Sequence, residues 1–598
     1  MDASLTPSGR GRGSAAKLAV EGLLLVGLLA VSMAAVRWHQ RDDSPTFDEG
    51  IHLFSGVEAL EDGSGWLNPE HPPLLKLAGA LALRPLGLLT PCRILPCTST
   101  PFNGYLKWLY GNAAPADVIV SAGRRPFPWI LAALAVVLFL GVRKVAGPAA
   151  GLLAAGLVTL DPGFVAHAAY VHTDVGAALA FLAVTLLALR AAGGVSLDRW
   201  LLLGLALGLA LVTKFSTVLL VPLVLVAPFL PLLLPGARSE THRPARGVTR
   251  DRLVGALAAL AVAATVVYGV YAFTLRRMPQ ESIEASVRAY LGGRQARPDE
   301  MEDYVRLVRL SPPVGQYLAG LKGVALLSER GRGANWFRGE LSERAFPLYF
   351  PAAFLLKSTP AFLALLAFAL VAGVRRLWPR RGGEGPAGRT LLAVLVPLLV
   401  SAAYFLLSVR SAFNIGARHL LPVWALLVFA AAVVAGRAFS ARPRLFGVLV
   451  LLLVASSGLS LARSRTSPIA YFNFLAGGPD GGRHWFSDSN VDWGQDLLRL
   501  HRFLETRGWE GTTTIVAYGG VATNYYSRSC RLLDPDKPFG PGRYAVSHVM
   551  ETLGYPFTKG IEGEAAARQV EELVRTLKAR GRRIAFVGGS ITIWELPG

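Results

Sequence analysis

Charged side chains are scarce in this chain. Only 17% of its 598 residues are Asp, Glu, Lys or Arg, against roughly 25% in soluble domains. With 52% hydrophobic residues and a mean hydropathy of +0.42, this excludes a single soluble domain, which could not bury so many Leu, Ala and Val. Acid is scarcer than base, 40 residues against 61, giving a formal net charge of +21. The basic residues fall mainly in short loops between apolar runs, which excludes a nucleic-acid partner and points to orientation in a membrane. Cysteine is almost missing: Cys92, Cys97 and Cys530 are all there is. One disulfide, Cys92–Cys97, is open to the chain if their loop is extracytoplasmic, and Cys530 reads as a small buried thiol. No internal repeat is visible. The basic start and first apolar run resemble a signal peptide, but the run is long and has no clear cleavage site, so it reads as an uncleaved anchor.

What is present is a series of apolar runs of spanning length. They lie near 17–37, 127–142, 149–160, 173–190, 200–213, 216–235, 252–274, 346–374, 390–409, 419–436 and 445–462, about 11 in all. Residues 74–89 are apolar too, but Lys76, Arg84 and Pro85 interrupt them, and they read as an interfacial or re-entrant helix. Loop charge tests this count. With residues 1–16 as a basic cytoplasmic tail, alternate short connections carry arginine-rich sets such as Arg143 and Lys144, Arg238 to Arg252, Arg375 to Arg389 and Arg437 to Arg444. The opposite short loops carry only Lys214, Arg410 and Arg418. This bias puts a first loop (about 38–126), a second large loop (about 275–345) and the tail from residue 464 outside. The tail changes character. Thr512 to Tyr518, Ile584 to Val587 and Ile591 to Leu596 read as strands, and Glu564 to Arg580 as an amphipathic helix, which makes 464–598 a small α/β domain. The expected fold is an α-helical polytopic membrane domain over 17–463 followed by that extracytoplasmic domain.

The residues with chemistry gather at the outer membrane face. Thr46-Phe47-Asp48-Glu49 follows the first span. Thr46 and Glu49 fit a capping box opening a helix through Ile51 to Leu60, which accounts for Glu49 and leaves Asp48 as the candidate general base. Partial desolvation beside Phe47 is expected to raise its basicity. In the same loop stand Glu70 and His71, fixed by Pro72-Pro73, and Lys76. A Glu–His pair is a thin metal site by itself. His167, His172, Asp174 and His419 share its face, and a divalent cation is left open as cofactor. Asp161 and Asp174 flank a connection between two spans and read as helix caps able also to meet a sugar hydroxyl. Arg418 sits where the charge bias disfavours arginine and suits a phosphate. Lys357, inside an apolar run, also suits an anionic lipid phosphate. Asp488 to Asp496 imitates a calcium loop, but its glycine is one place late and position twelve is Arg499, so it is no EF-hand. It reads as a capped helix start before Leu497, with an outer-face role open to Asp488 and Asp492.

In these residues the chain resembles the GT-C class of membrane glycosyltransferases, and within it the bacterial protein O-mannosyltransferase and aminoarabinose-transferase superfamily. The motifs are Phe47-Asp48-Glu49, Glu70-His71-Pro72-Pro73, His172-Thr173-Asp174 and Leu211-Val212-Thr213-Lys214. With them go Tyr349-Phe350-Pro351 through Lys357-Ser358-Thr359-Pro360, Arg418-His419-Leu420-Leu421-Pro422, and the Asp488–Asp496 stretch. The resemblance implies a polyprenyl-phosphate sugar as donor, used on the outer face, with Asp48 as base. The resemblance to the aminoarabinose transferases implies a Glu-Lys-Pro-Pro stretch that supplies a metal ligand and a phosphate contact; here Glu70 matches the Glu, but His71 replaces the lysine, which removes the expected phosphate contact and opens metal binding to His71. The acceptor, a protein or an envelope lipid, is not implied.

The expected reaction is inverting sugar transfer. Asp48, with Glu49 beside it in the catalytic motif, takes a proton from the acceptor. Lys76, Arg418 or Lys357 steadies the departing phosphate. Glu70, His71 and His419 are the candidate metal ligands, and Asp161, His172 and Asp174 the candidate substrate contacts. Rival readings are a transporter or flippase, which often shows paired repeats and mid-bilayer charges, and a non-catalytic envelope-assembly subunit, which would tolerate loss of Asp48.

Overall fold

The computed structural model describes residues 10–91, 101–233, 245–376, 386–519, 523–526, 531–534 and 537–598. All three cysteines, and with them the Cys92–Cys97 pairing, lie outside the described residues.

Among the described residues, eight helices are long and apolar enough to cross a membrane: Ala15–Asp42, Ala116–Ala146, Asp174–Ala192, Phe215–Leu232, Gly247–Thr274, Thr390–Arg410, Ala417–Ala438 and Pro443–Arg463. Two bent pairs raise the number to ten if each is one span. The expected eleventh, 200–213, is the Leu197–Leu211 helix. At 1.5 Å per residue its 15 residues reach only about 22 Å, short of a ~30 Å hydrocarbon core. The bends fall at prolines. The 149–160 run ends at Thr159 and turns by 61° into Pro162–Ala168, and the 346–374 run turns by 107° between Lys357 and Pro360. Proline cannot donate the next helical hydrogen bond and pushes the residue before it into extended backbone. Both breaks matter below, because the side chains beside them, Asp161 and Lys357, line one cavity.

The Leu421–Ala438 helix is almost wholly buried and packs against Phe127–Ala146, Pro148–Thr159, Asp174–Ala192, Pro360–Arg376 and Pro386–Arg410. It forms the centre of the bundle. Between the first two spans, Glu49–Val57 is helical as expected and continues into a wider turn over Glu58–Asp62. The Leu74–Leu83 helix lies against it. Gly56 permits that approach, since a Cβ there would sit 2.3 Å from the Lys76 carbonyl oxygen. Three further helices, Gln280–Gly293, Pro298–Leu310 and Pro312–Arg330, share a small core of Ile283, Val287, Leu291, Val305, Val308 and Ala319. An antiparallel hairpin of β1 (Asn335–Phe337) and β2 (Glu340–Ser342) follows.

The C-terminal region is a five-stranded sheet with helices on both faces. Its strands are β3 (Thr513–Val516), β4 (Arg531–Leu532), β5 (Gly542–Ser547), β6 (Arg582–Val587) and β7 (Ile591–Leu596), in the order β4-β3-β5-β7-β6. β3 is parallel to β4 and β5, while β5, β7 and β6 pair antiparallel. Alternation along β5 and β7 divides the layers. Ala545, Ile591 and Ile593 pack with Leu497, Leu500 and Leu504 of the Leu497–Thr506 helix, whereas Tyr544, Val546 and Leu596 join Val570, Leu573, Val574 and Leu577 on the other face. The expected helix at Glu564–Arg580 and strand at Ile591–Leu596 are present with those bounds. β5 and the helix after it, His548–Glu562, were not legible.

This region is bolted to the membrane bundle by the acid-rich stretch 488–496. The Ser44 N–H donates to the Gln495 carbonyl at 3.0 Å and the Phe47 N–H to the Trp493 carbonyl at 2.9 Å. The Ser44 hydroxyl donates to the Gly494 carbonyl at 2.8 Å. Asn490 receives the Ala417 N–H at 2.9 Å and donates to the Tyr349 hydroxyl at 2.7 Å. Asp492 accepts the N–H groups of Gly494 and Val549, and Asp496 binds Ser590 and Arg499. These carboxylates face separate partners and do not form a calcium loop. Nor does Asp496 cap the helix that follows: its side chain makes no capping bond there.

Candidate active site

Asp48 stands at the N-cap position of the Glu49–Val57 helix with 19% of its side chain exposed. Its Oδ2 lies 3.1 Å from Arg418 Nη1 and 3.4 Å from His172 Nε2. Arg418, 6% exposed, also approaches Asp174 at 3.8 Å, and its Nη1 lies 2.7 Å from His172 Nε2. The other ring nitrogen, Nδ1, is 2.6 Å from Asp174 Oδ2. Asp174 also pairs with Lys214. Asp174 therefore anchors an ionic row rather than capping its helix, whose N-cap is Thr173. Asp161, in contrast, caps as expected, accepting Gly163 and Phe164 N–H at 2.8 and 3.1 Å.

Burial would push the Asp48 carboxyl up, but the His172 contact and the Arg418 guanidinium outweigh it and hold it well below the usual carboxylate range. The expected gain in basicity from desolvation is thus reversed while Arg418 stays paired to it. Asp488, left-handed at φ 54°, also faces Arg418; burial pushes its carboxyl up, partly offset by that cation.

Glu49 is in a different setting. It is fully buried and bidentate to Arg124, at 2.8 Å to Nε and 2.7 Å to Nη2. It also accepts the N–H groups of Val171 and Thr46 and the Thr46 hydroxyl. The capping-box bond from the Thr46 N–H is there, but Arg124 is the larger partner. Every Glu49 oxygen is engaged, so it orients the loop that bears Asp48.

A cavity of about 30 Å³, on the order of one water, opens beside Arg418. Asp161, His167, Lys357, Ser489 and Asn490 line it with Arg418. Lys357 reaches it from the proline break, donating to the Ile469 and Asn490 carbonyls at 2.6 and 2.5 Å and lying 3.9 Å from the Phe472 ring centre. Lys76 is not brought there. It donates to the Asn68 carbonyl at 2.7 Å, and burial pushes its ammonium down to about 7.

The expected metal ligands do not fit an ion. Glu70 is paired to Arg294 and Arg332. His71 packs its ring on His52 and His172, with centroids 4.8 and 5.9 Å away. His419 faces Phe413. Among the described residues no three His, Cys, Asp or Glu are placed to hold a metal. Two site residues escaped the sequence reading. Arg124, a lone cation before the second span, had only its position as a signal, and Trp493 lay hidden within the false calcium pattern.

A family described as dolichyl-phosphate-mannose-protein mannosyltransferase matches residues 125–269. No curated relative matches the chain. Among solved structures, the Saccharomyces cerevisiae protein O-mannosyltransferase Pmt1–Pmt2 complex bound to the sugar donor is similar at 11% identity and TM-score 0.50, over 74% of this chain and 89% of that one. The Archaeoglobus fulgidus oligosaccharyltransferase aligns over 91% of this chain and 70% of its own at 12% identity and TM-score 0.43. ArnT from Cupriavidus metallidurans bound to undecaprenyl phosphate covers 95% and 97% at 13% identity and TM-score 0.30. The fold likeness rests on the Pmt1–Pmt2 comparison. It shows a polytopic, mostly helical fold similar to that complex, and the family match covers about a quarter of the chain.

Proposed function

We propose that this chain is a glycosyltransferase that moves a sugar from a polyprenyl-phosphate carrier to an acceptor hydroxyl or amine, with inversion, on the extracytoplasmic face. The observation that carries the reading is one juxtaposition: a partly exposed Asp48 carboxylate is held by Arg418, and Arg418 also lines a cavity that Lys357 reaches. The family description, with dolichyl-phosphate-mannose in it, supports a lipid-linked donor. The arginine bias of the loops supports the outer face for this site and for the C-terminal region.

The chemistry then follows from charge. In the resting arrangement Arg418 neutralises Asp48. A donor phosphate competes for the same guanidinium and, with Lys357, draws it toward the cavity, which has to widen to admit the phosphate. Asp48 loses its cation and becomes a stronger base at the moment donor is present. It takes the proton of the acceptor O–H or N–H. The acceptor forms a bond to the anomeric carbon as the bond from that carbon to the phosphate oxygen breaks, through an oxocarbenium-like state. The leaving oxygen keeps the electron pair and is stabilised by Arg418 and Lys357. No step passes through a metal. Protein and envelope lipid both remain open as acceptor classes.

The test is Asp48→Asn, which keeps size and removes the basic oxygen. Transfer of labelled sugar from polyprenyl-phosphate donors into envelope protein and lipid should fall about 10²- to 10⁴-fold, in a protein that stays folded and inserted. Turnover near wild type in this variant overturns the assignment.

A further inference from the structure

Trp493 comes from the C-terminal region, yet its side chain lies at the centre of the site. It is 1% exposed. The Arg418 guanidinium carbon sits 4.0 Å over its ring centre, and the rings of His172, His167 and Tyr170 meet it at 5.0, 5.7 and 5.9 Å with interplanar angles of 73°, 61° and 84°. Its backbone is equally committed. The carbonyl holds the Phe47 N–H, one residue before Asp48, and its own N–H donates to Gln495 Oε1 at 2.7 Å. A single residue thus holds the segment of the base through its main chain and the cation through its side chain.

We infer that Trp493 is a positioning residue: its indole face is the platform that keeps the Arg418 guanidinium in one plane, with N–H edges aimed both at Asp48 and at the cavity. The physical reason is directional. An arginine among Asp48, Asp174 and Asp488 could satisfy its donors in several poses. Cation–π attraction favours the pose that lies flat on the ring, and it is strongest when water is excluded. The flat pose leaves the in-plane N–H groups free for acceptors at the edge, which suits exchange of a carboxylate for a phosphate oxygen. The inference rests on the proposed lipid-phosphate donor.

The experiment measures binding of polyprenyl monophosphate, without sugar, to the full chain in nanodiscs, with unfolding temperature recorded in parallel. Wild type, Arg418→Gln, Trp493→Phe and Trp493→Leu are compared. Phe keeps a π face and loses the indole N–H; Leu keeps apolar bulk and loses the face. The expected result is binding within about twofold of wild type for Trp493→Phe and weakened about tenfold for Trp493→Leu, equivalent to ~1.4 kcal/mol. Equal loss in both variants, or wild-type binding by Trp493→Leu, overturns the inference. Should Leu prevent folding, Trp493→Met against Trp493→Phe decides by the same criteria. If wild type and Arg418→Gln bind equally, the donor reading itself fails and takes this one with it; if Arg418→Gln alone weakens binding, only the role of Trp493 is lost.

Discussion

Glu49→Gln is the substitution on which sequence and structure disagree most. A capping box accepts Gln as readily as Glu, so the sequence expects a mild change. The structure puts Glu49 in a fully buried, two-toothed pair with Arg124, itself 2% exposed. Removing the carboxylate's charge leaves the Arg124 guanidinium buried with no anion directly on it. Its other acceptors are the carbonyls of Gln40, Asp43 and Ser44, which satisfy donors without neutralising charge. Breaking one side of a buried pair in this way costs about 3–5 kcal/mol. The Gln amide also has to turn one N–H₂ toward a site that receives the Thr46 or Val171 N–H, adding a donor–donor clash. The measurement is reversible or kinetic unfolding of the purified protein in detergent, with activity per folded molecule as the second readout. Glu49→Gln should unfold markedly earlier and keep much of its activity while folded. The double variant Glu49→Gln with Arg124→Met should recover much of the lost stability, since both charges are then gone. A Glu49→Gln protein that is as stable as wild type yet inactive would falsify the structural role and return Glu49 to the chemistry.

Three other expectations follow from the site. Lys357→Met removes a cation from the cavity and leaves the Ile469 and Asn490 carbonyls without their donor, so polyprenyl-phosphate binding should weaken by about tenfold or more; undiminished binding removes Lys357 from the donor site. The acid limb of the free enzyme's activity profile should lie below the ordinary carboxylate range near pH 4, because Asp48 is held down by His172 and Arg418; in the donor complex the limb should move up, and a limb that stays put argues against exchange of Arg418. Asp492 is buried and pushed up to about 7. Its stabilising contribution is complete below its unfolded value near pH 4 and is lost as pH rises through 7. Asp492→Asn should flatten that decline in unfolding temperature, and an unchanged pH slope refutes it.

The membrane helices were legible because apolar length and loop charge are strong one-dimensional signals. The places where the reading slipped are those where tertiary geometry decides. The 346–374 run leaves open whether Lys357 lies inside a span or the span starts after it, and the 107° turn at Pro360 decides for the second. Asp174 has a helix-start position that suggests a cap, and only the arrival of Lys214 and Arg418 from distant segments shows its ionic role. Glu70 and His71 adjoin in sequence but face apart, one toward Arg294 and Arg332, the other toward His52. Asp48 and Arg418 were both picked out singly; their mutual contact, 370 residues apart, was beyond pattern reading.

The bonds from Ser44 and Phe47 to Gly494, Gln495 and Trp493 have a consequence for synthesis. Ser44 emerges early from the ribosome, and its partner Gly494 follows 450 residues later. At about 5–20 residues per second, the first loop waits on the order of half a minute or more for the segment that completes it. During that interval the Asp48 segment has no anchor, and Arg418, made 75 residues before Trp493, has no ring to lie on until the end of it. On the proposed roles of Asp48, Arg418 and Trp493, the growing chain stays inactive until the 488–496 stretch has been made. A chain stopped after Arg463 should insert its spans and remain silent, and adding residues 464–598 as a separate polypeptide is the direct way to ask whether the order of arrival matters.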